Sequence, residues 1–258
     1  MRDHGDRAVW RWRPDRARPR AQNLPAIVEI VRDTARRAGE AIDAGERTIV
    51  LGGDCTVGIG TIAAHVATGE RVGLVYFDTH ADLNVPSSVP EGAMDWMGMA
   101  HVLGIAGAED DLVAAGPRAP LLEPADVLLF GWGPDQATSF EREAIDALGI
   151  VAIPVGEVRE DAVAAATHAL TRMEARCDRL LVHFDVDVID FTDMPLSENW
   201  GRNEGLPFVT AMDALDVLLR SSKLVGLTIT ECNPDHAEEG AAGLERLVAT
   251  AAAALAAA

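Results

Sequence analysis

The chain has 258 residues, and 48% of them are hydrophobic, which is enough to build the core of one large α/β domain. Asp and Glu number 41 against 22 Lys and Arg, and the formal net charge of −19 argues against a nucleic-acid-binding protein. No apolar segment has the composition of a membrane span or a secretory signal, and the three cysteines form no disulfide framework or zinc motif. We therefore expect a cytoplasmic protein that binds neither nucleic acid nor membrane.

Apolar runs and helical patterns alternate along the chain. Strands are predicted at Thr48–Leu51, Val72–Phe77, Val127–Phe130, Val151–Val155, Leu180–Phe184 and Val225–Thr230. Helices are predicted near 25–44, 57–68, 97–107, 139–148, 158–176, 209–221 and 237–257. This alternation predicts a three-layer α/β/α fold with a mainly parallel sheet. We divide the chain into an Arg-rich N-terminal arm, 1–24, and a domain that spans 25–258.

Two acidic clusters follow two of the predicted strands. Asp78, His80 and Asp82 come after the second strand, and Asp185 and Asp187 come after the fifth. Residues two apart in extended backbone face the same way, so each cluster presents its side chains to one point. Four carboxylates and one imidazole form an oxygen-rich ligand set that suits Mn²⁺ better than Zn²⁺ or Cu²⁺. The alternative for either cluster alone is that its acids cap the turns that follow.

Two long loops come just after these clusters. Pro, Gly and Ser concentrate at 84–92 and around 195–207. Because ligands of parallel sheets bind beyond the carboxyl ends of the strands, we expect these loops to form the rim of a site.

Four segments carry a resemblance to a known family. They are Gly52-Gly53-Asp54-Cys55, Asp78-Thr79-His80-Ala81-Asp82, His183-Phe184-Asp185-Val186-Asp187 and Glu231-Cys232-Asn233-Pro234. In order and spacing they resemble the hallmarks of the ureohydrolase family of arginase, agmatinase and relatives: Gly-Gly-Asp-His, Asp-Ala-His-x-Asp, Ser-Phe-Asp-x-Asp and Glu-x-Asn-Pro. The resemblance covers residues from about 25 to 258. It implies an arginase-like α/β/α fold and hydrolysis of a C–N bond in a linear guanidine or amidine.

The resemblance also implies a pair of Mn²⁺ ions. Asp78 and Asp185 would bridge the two ions. Asp82 and the residue at position 55 would complete one ion, and His80 and Asp187 would complete the other. Two such ions lower the pKa of a bridging water, so that a metal-bridging hydroxide is the implied nucleophile.

Further residues receive roles from the same resemblance. Glu231 would accept hydrogen bonds from the cationic substrate, and with Asp82 it is a predicted catalytic residue. Asn84 would contact the amino-acid end of the substrate, and Asp135, in the loop after the third strand, is a further candidate contact. His183 is either a neighbour that supports the metal ligands or a buried residue. The partners implied are a small cationic guanidino or amidino substrate and copies of the same chain in a trimer or hexamer.

Cys55 stands where most relatives have a metal-binding histidine. Three alternatives follow: Cys55 binds the first ion, it is a small buried residue beside a weakly held ion, or the first site is empty. A branch that hydrolyses N-omega-hydroxy-L-arginine is similar in having Cys at this position.

Met97 replaces a histidine that carries protons in relatives, and methionine cannot transfer protons. His101, four residues later, either substitutes for it, or else packs in the protein or faces solvent. Both departures favour an N-hydroxyarginine-like or other modified guanidine as the substrate. The alternatives are agmatinase, guanidinobutyrase or formiminoglutamase activity, or a catalytically weak homologue that binds a metal or a ligand.

Overall fold

The computed structural model describes residues 2–202, 204–236 and 240–257. Its parallel sheet has the strand order β1-β6-β5-β2-β3-β4. The strands are β1 (Thr48–Leu51), β2 (Val72–Phe77), β3 (Val127–Trp132), β4 (Val151–Pro154), β5 (Arg179–Asp185) and β6 (Leu224–Thr230). Each coincides with a predicted strand to within two residues at either end.

Helices connect the strands. They are α1 (Leu24–Asp43), α2 (Val57–Val66), α3 (Gly98–Val102), α4 (Asp110–Val113), α5 (Ser139–Leu148), α6 (Val155–Glu160), α7 (Ala162–Glu174), α8 (Phe208–Leu219) and α9 (Gly240–Ala257). Residues 237–239, where the sequence predicts the start of the last helix, lie outside the described residues. No helix among the described residues has both the length and the apolar composition that crossing a membrane requires.

Two of the predicted helices differ from the structure. The predicted helix at 158–176 is two helices, because Asp161 leaves helical geometry and its side chain accepts a hydrogen bond from the Ala164 amide at the start of α7. The predicted helix at 97–107 is only the short α3, which follows a 3₁₀ turn at Met94–Met97. Shortly after α3, Gly104 adopts a φ of 61°, which is incompatible with a continuing right-handed helix.

The sheet separates two hydrophobic cores, which confirms the three-layer prediction. Successive residues of β2 contribute to opposite sides: Val75 and Phe77 pack with α7 and α8, whereas Leu74 and Tyr76 pack with α1 and α2. All six residues of β2 are buried. A strand that is covered on both faces has a continuous apolar sequence, which is why the sequence predicts it well.

The order of the strands brings the two acidic clusters together. β2 and β5 are neighbours, with Tyr76 opposite His183 and Phe77 opposite Phe184. Asp78 and Asp185 therefore leave the sheet side by side, at the same edge. The pairing of β2 with β5 thus places two segments that are about a hundred residues apart in sequence at one site.

The residues before α1 lie against the domain. His4 Nε2 is 2.7 Å from Glu46 Oε2, and Gln22 Nε2 donates to the Glu91 carbonyl at 2.6 Å. Arg20 Nη1 donates to the Pro86 carbonyl at 3.2 Å. The division between an arm and a domain remains a prediction.

Candidate metal centre

The turn after β1 is bonded to the end of β6. The Gly52 amide donates to the Ile229 carbonyl, and the Glu231 amide donates to the Gly53 carbonyl, both at 2.8 Å. A Cβ at Gly52 would lie 2.4 Å from Val57 Cγ2, so a larger residue there would displace the Val57 side chain. These bonds hold Cys55 and Glu231 at the same edge of the sheet as the acidic clusters.

Cys55, Asp78, His183 and Asp185 form the Cys55 cluster, in which one ligand atom of each lies within 4.8 Å of the others. All four residues are buried. Cys55 Sγ donates to Asp185 Oδ2 at 2.7 Å and lies 3.9 Å from Asp78 Oδ2. His183 Nε2 is 3.4 Å from the same sulfur. The sulfur therefore lies among two carboxylates and an imidazole.

Asp78, His80 and Asp187 form the adjacent His80 cluster. His80 Nδ1 lies 3.0 Å from Asp187 Oδ2 and 3.5 Å from Asp78 Oδ1. Asp78 belongs to both clusters, with Oδ1 towards His80 and Oδ2 towards Cys55. The bridging of two ions by Asp78 stays a prediction.

Burial and mutual repulsion govern the pKa values of the carboxylates. Burial, together with the charges of Asp187 and Asp78, raises the pKa of Asp185 well above its ordinary value. Burial and the charge of Asp187 likewise raise the pKa of Asp78 to about 6. Burial acts against the charged form of His80, but the charges of Asp187 and Asp78 and the hydrogen bonds to them together outweigh it and raise the pKa of the imidazole. One imidazole is not enough to neutralise this group of acids, whereas a bound cation would neutralise them.

The residues present fit divalent metal ions. Asp187 Oδ1 is buried and has no hydrogen-bond partner, which is costly for a carboxylate oxygen unless a cation meets it. Carboxylate oxygens, imidazole nitrogens and a thiol are all common ligands of first-row divalent metals.

Asp82, predicted to complete the first ion, lies at the edge of this arrangement. It has a φ of 51°, and the Tyr76 hydroxyl donates a hydrogen bond to its Oδ2. Among the described residues, Asp82 belongs to neither the Cys55 cluster nor the His80 cluster. Burial and the charge of Asp78 raise its pKa well above the ordinary value, which shows that its carboxyl group is close to the same acidic site.

Glu231 faces a group of acids that the sequence does not predict. Its Oε1 is buried without a hydrogen-bond partner, and its φ of 56° turns the chain sharply after β6. Burial and the charges of Asp54 and Asp95 raise its pKa to about 9. Burial and Asp54 also raise the pKa of Asp95 to about 6. Asp95 lies two residues before Met97, in a stretch with no metal-ligand spacing, so nothing in the sequence marks it.

The loop at 195–207 reaches the site, as predicted. Asn199 Nδ2 donates to Asp187 Oδ2 at 3.3 Å and lies 3.5 Å from His80 Nε2. Asn199 is not among the predicted residues, because a single asparagine in a loop has no recognisable pattern.

Besides Glu231, the other two predicted substrate contacts occupy different environments. Asn84 is buried, and its Oδ1 accepts hydrogen bonds from Ser88 at 3.0 Å and Thr138 at 2.9 Å, so this oxygen joins two loops. Asp135 is exposed in the loop that follows β3. Substrate binding by either residue stays a prediction.

His101 has the environment of a structural residue. It is completely buried, its Nδ1–H donates to the Met97 carbonyl at 2.5 Å, and its Nε2 accepts from the Glu109 amide at 3.1 Å. Burial lowers its pKa to about 4, so the ring is neutral near pH 7. Both nitrogens are occupied by backbone groups, which matches the alternative in which His101 packs and does not replace the histidine missing at Met97.

The sequence model that describes the arginase family matches residues 3–258 of this chain. The chain belongs to the arginase family. It is 26% identical to arginase from Bacillus caldovelox over 216 residues, which cover 83% of this chain and 71% of the relative. It is also 26% identical to arginase from Entamoeba histolytica over 228 residues, which cover 85% and 73% of the two chains.

Solved structures agree with this membership in the arginase family. The native structure of arginase from Bacillus caldovelox superimposes with a TM-score of 0.84 at 25% identity, covering 98% of this chain and 81% of that one. Formimidoylglutamase from Bacillus subtilis has the same fold, with a TM-score of 0.73 at 15% identity and coverage of 90% and 67%. The predicted arginase-like fold and the family are thereby confirmed.

Proposed function

We propose that this member of the arginase family is a hydrolase with two divalent metal ions, Mn²⁺ by resemblance, that cleaves a C–N bond of a modified linear guanidine such as N-hydroxyarginine. Cys55, Asp78 and Asp185 would hold one ion and the His80 cluster the other, with Asp78 shared between them. Asp82 would support the first ion. A homo-oligomeric state and a cytoplasmic location remain predictions.

The observation that carries this proposal is a pair of buried oxygens without partners. Asp187 Oδ1 and Glu231 Oε1 are both inaccessible to solvent and make no hydrogen bond. The first belongs to the His80 cluster, where a metal ion would satisfy it. The second belongs to a residue outside both clusters, where N–H donors of a guanidinium would satisfy it.

When bound, the two ions would supply a nucleophile from water at neutral pH. The protein's own part is to bind and orient the substrate. Besides burial, the charges of Asp54 and Asp95 raise the pKa of Glu231, and the charge of Asp54 raises the pKa of Asp95; a planar cation placed among these acids would relieve that repulsion. Asn199 would hold Asp187 and His80 in position through its amide nitrogen.

The missing proton carrier supports a modified guanidine as the substrate. Met97 is fully buried and cannot donate a proton, and both nitrogens of His101 bond to the backbone. An ordinary guanidine releases a strongly basic amine, which needs a proton as the bond breaks. A modified guanidine with a less basic leaving group would need that proton less, whereas the preference for N-hydroxyarginine rests on the resemblance of Cys55 to the branch that hydrolyses it.

Metal analysis and a substrate panel test the proposal. The protein is loaded with Mn²⁺ and assayed for urea, hydroxyurea or formamide from arginine, N-hydroxyarginine, agmatine, guanidinobutyrate and formiminoglutamate. We expect two ions per chain and fastest turnover of N-hydroxyarginine. No turnover of any compound by the loaded protein would refute the hydrolase, whereas faster turnover of arginine would refute only the substrate preference.

Asp187→Asn is the matched variant for this assay, because it removes a ligand charge from the His80 cluster with little change in shape. Glu29→Gln is its control, since Glu29 is an exposed acid of α1 that pairs with Arg7. We expect Asp187→Asn to lose an ion and its activity, and Glu29→Gln to keep both.

A further inference from the structure

His183 lies directly beneath the site. Along β5, His183 and Asp185 are two residues apart, so their side chains leave the sheet on the same side. In the neighbouring strand, Tyr76 and Asp78 have the same relation, and Tyr76 is the register partner of His183. The imidazole therefore occupies the layer of side chains immediately below the carboxylates of the Cys55 cluster.

The imidazole ring is held on both sides. It stacks on Tyr76 with ring centroids 4.4 Å apart and an angle of 20° between the planes. On α2, a Cβ at Gly58 would lie only 2.8 Å from His183 Nδ1, so the absence of a side chain there leaves room for the ring. The ring is 2% exposed and has a defined position rather than filling space loosely.

This position directs Nε2 at the sulfur of Cys55. The two atoms are 3.4 Å apart, and Thr230 Oγ1 lies 3.0 Å from the same nitrogen. In a tetrahedral site with metal–sulfur and metal–nitrogen bonds of about 2.3 and 2.05 Å, the two ligand atoms are about 3.6 Å apart. The observed separation is therefore short enough for both atoms to bind one ion with little movement.

We propose that His183 is a direct nitrogen ligand of the ion that Cys55 binds. This inference rests on the metal centre proposed above and adds one ligand to it. The first ion would then be held by a thiolate, an imidazole and two carboxylates, and the second by an imidazole and two carboxylates. Because thiolate and imidazole are softer ligands than carboxylate, the first site should accept Co²⁺ readily, which makes Co²⁺ a suitable probe.

X-ray absorption at the cobalt edge tests the proposal without an activity measurement. In the Co²⁺-loaded natural protein, we expect one imidazole per cobalt on average, from His80 and His183, and one sulfur for every two cobalt ions. In His183→Leu, we expect the imidazole signal per chain to fall by half and the affinity for one of the two ions to fall by more than tenfold.

His65→Leu is the matched control. His65 is also buried, and its Nε2 bonds to Thr48 Oγ1 at a place outside both clusters. This variant should keep both cobalt ions and the full imidazole signal. Circular dichroism and size-exclusion chromatography of both variants show whether either has lost the fold.

The outcomes separate this inference from the proposed function. If the natural protein binds two ions and His183→Leu leaves the imidazole signal unchanged, His183 is not a ligand and only the inference fails. If the natural protein binds neither Co²⁺ nor Mn²⁺, the metal centre itself fails. If His183→Leu does not fold, the cobalt-edge spectrum of the natural protein provides the test. A signal of only one imidazole for every two cobalt ions would overturn the proposal.

Discussion

Acidification should destabilise the protein through His101. The pKa of this buried ring is about 4 in the fold, because burial disfavours the charged form, against an ordinary value of 6.5. A base whose pKa is lowered by folding binds more protons in the unfolded state. The stability it contributes is complete above about pH 6.5 and is lost as the pH falls towards about 4.

The magnitude follows from these two pKa values. At pH 5, about 30 of 31 unfolded molecules carry the proton on this ring, whereas only about one in 11 folded molecules does. Integration between pH 7 and pH 5 gives a loss of about 2 kcal/mol in the free energy of unfolding from His101 alone. His65, which has the same lowered pKa of about 4, would contribute a similar amount.

Urea unfolding of the metal-free protein at pH 7 and pH 5 measures this effect. His101→Gln should be less stable than the natural protein at pH 7, because it disturbs the bonds to Met97 and Glu109. Between pH 7 and pH 5 it should lose about 2 kcal/mol less than the natural protein. Equal losses in the two proteins would refute the assignment of His101 as a neutral structural residue and reopen a role in proton transfer.

Four other substitutions have definite expected outcomes. Glu231→Gln should lower kcat/KM by about 10- to 100-fold while both metals remain, since a charge-assisted hydrogen bond is worth about 1.5–3 kcal/mol; a change below about twofold would count against it. Gly60→Ala should reduce the free energy of unfolding by about 1–3 kcal/mol, because its Cβ would lie 2.5 Å from the Val31 carbonyl oxygen. Gly39→Ala, where nothing lies within 4 Å, should raise it by roughly 0.5–1 kcal/mol, and equal effects in urea unfolding would contradict this packing argument. Cys55→Ser should abolish the thiolate-to-cobalt charge-transfer absorption, and an unchanged band would show that Cys55 is not a ligand.

The strands are predicted well because their signals are local. β2 and β5 are apolar runs buried on both faces, and such runs end where polar residues begin. Helices are predicted less well where a single residue interrupts a longer pattern, as Asp161 does between α6 and α7. A capping side chain changes the path of the chain without changing the hydrophobic periodicity around it.

The residues of the proposed metal centre also divide into those that local sequence predicts and those that it does not. A spacing of two residues is enough to pair Asp78 with His80, and Asp185 with Asp187, because extended backbone orients alternate side chains alike. Spacing could not show that Cys55 Sγ lies 2.7 Å from Asp185, which is 130 residues away, or that His183 faces the same sulfur. Those contacts depend on the order of β1, β6, β5 and β2 in the sheet.

The sequence by itself therefore determined the family resemblance, the strands and the ligand pairs within each segment, all of which depend on neighbouring residues. The tertiary structure alone decided that His101 bonds to the backbone, that Asp95 joins the acids around Glu231, and that His183 lies beneath the carboxylates of the proposed metal site. The physical reason is that burial, charge and hydrogen bonding at these positions come from residues that meet only when separate strands pair.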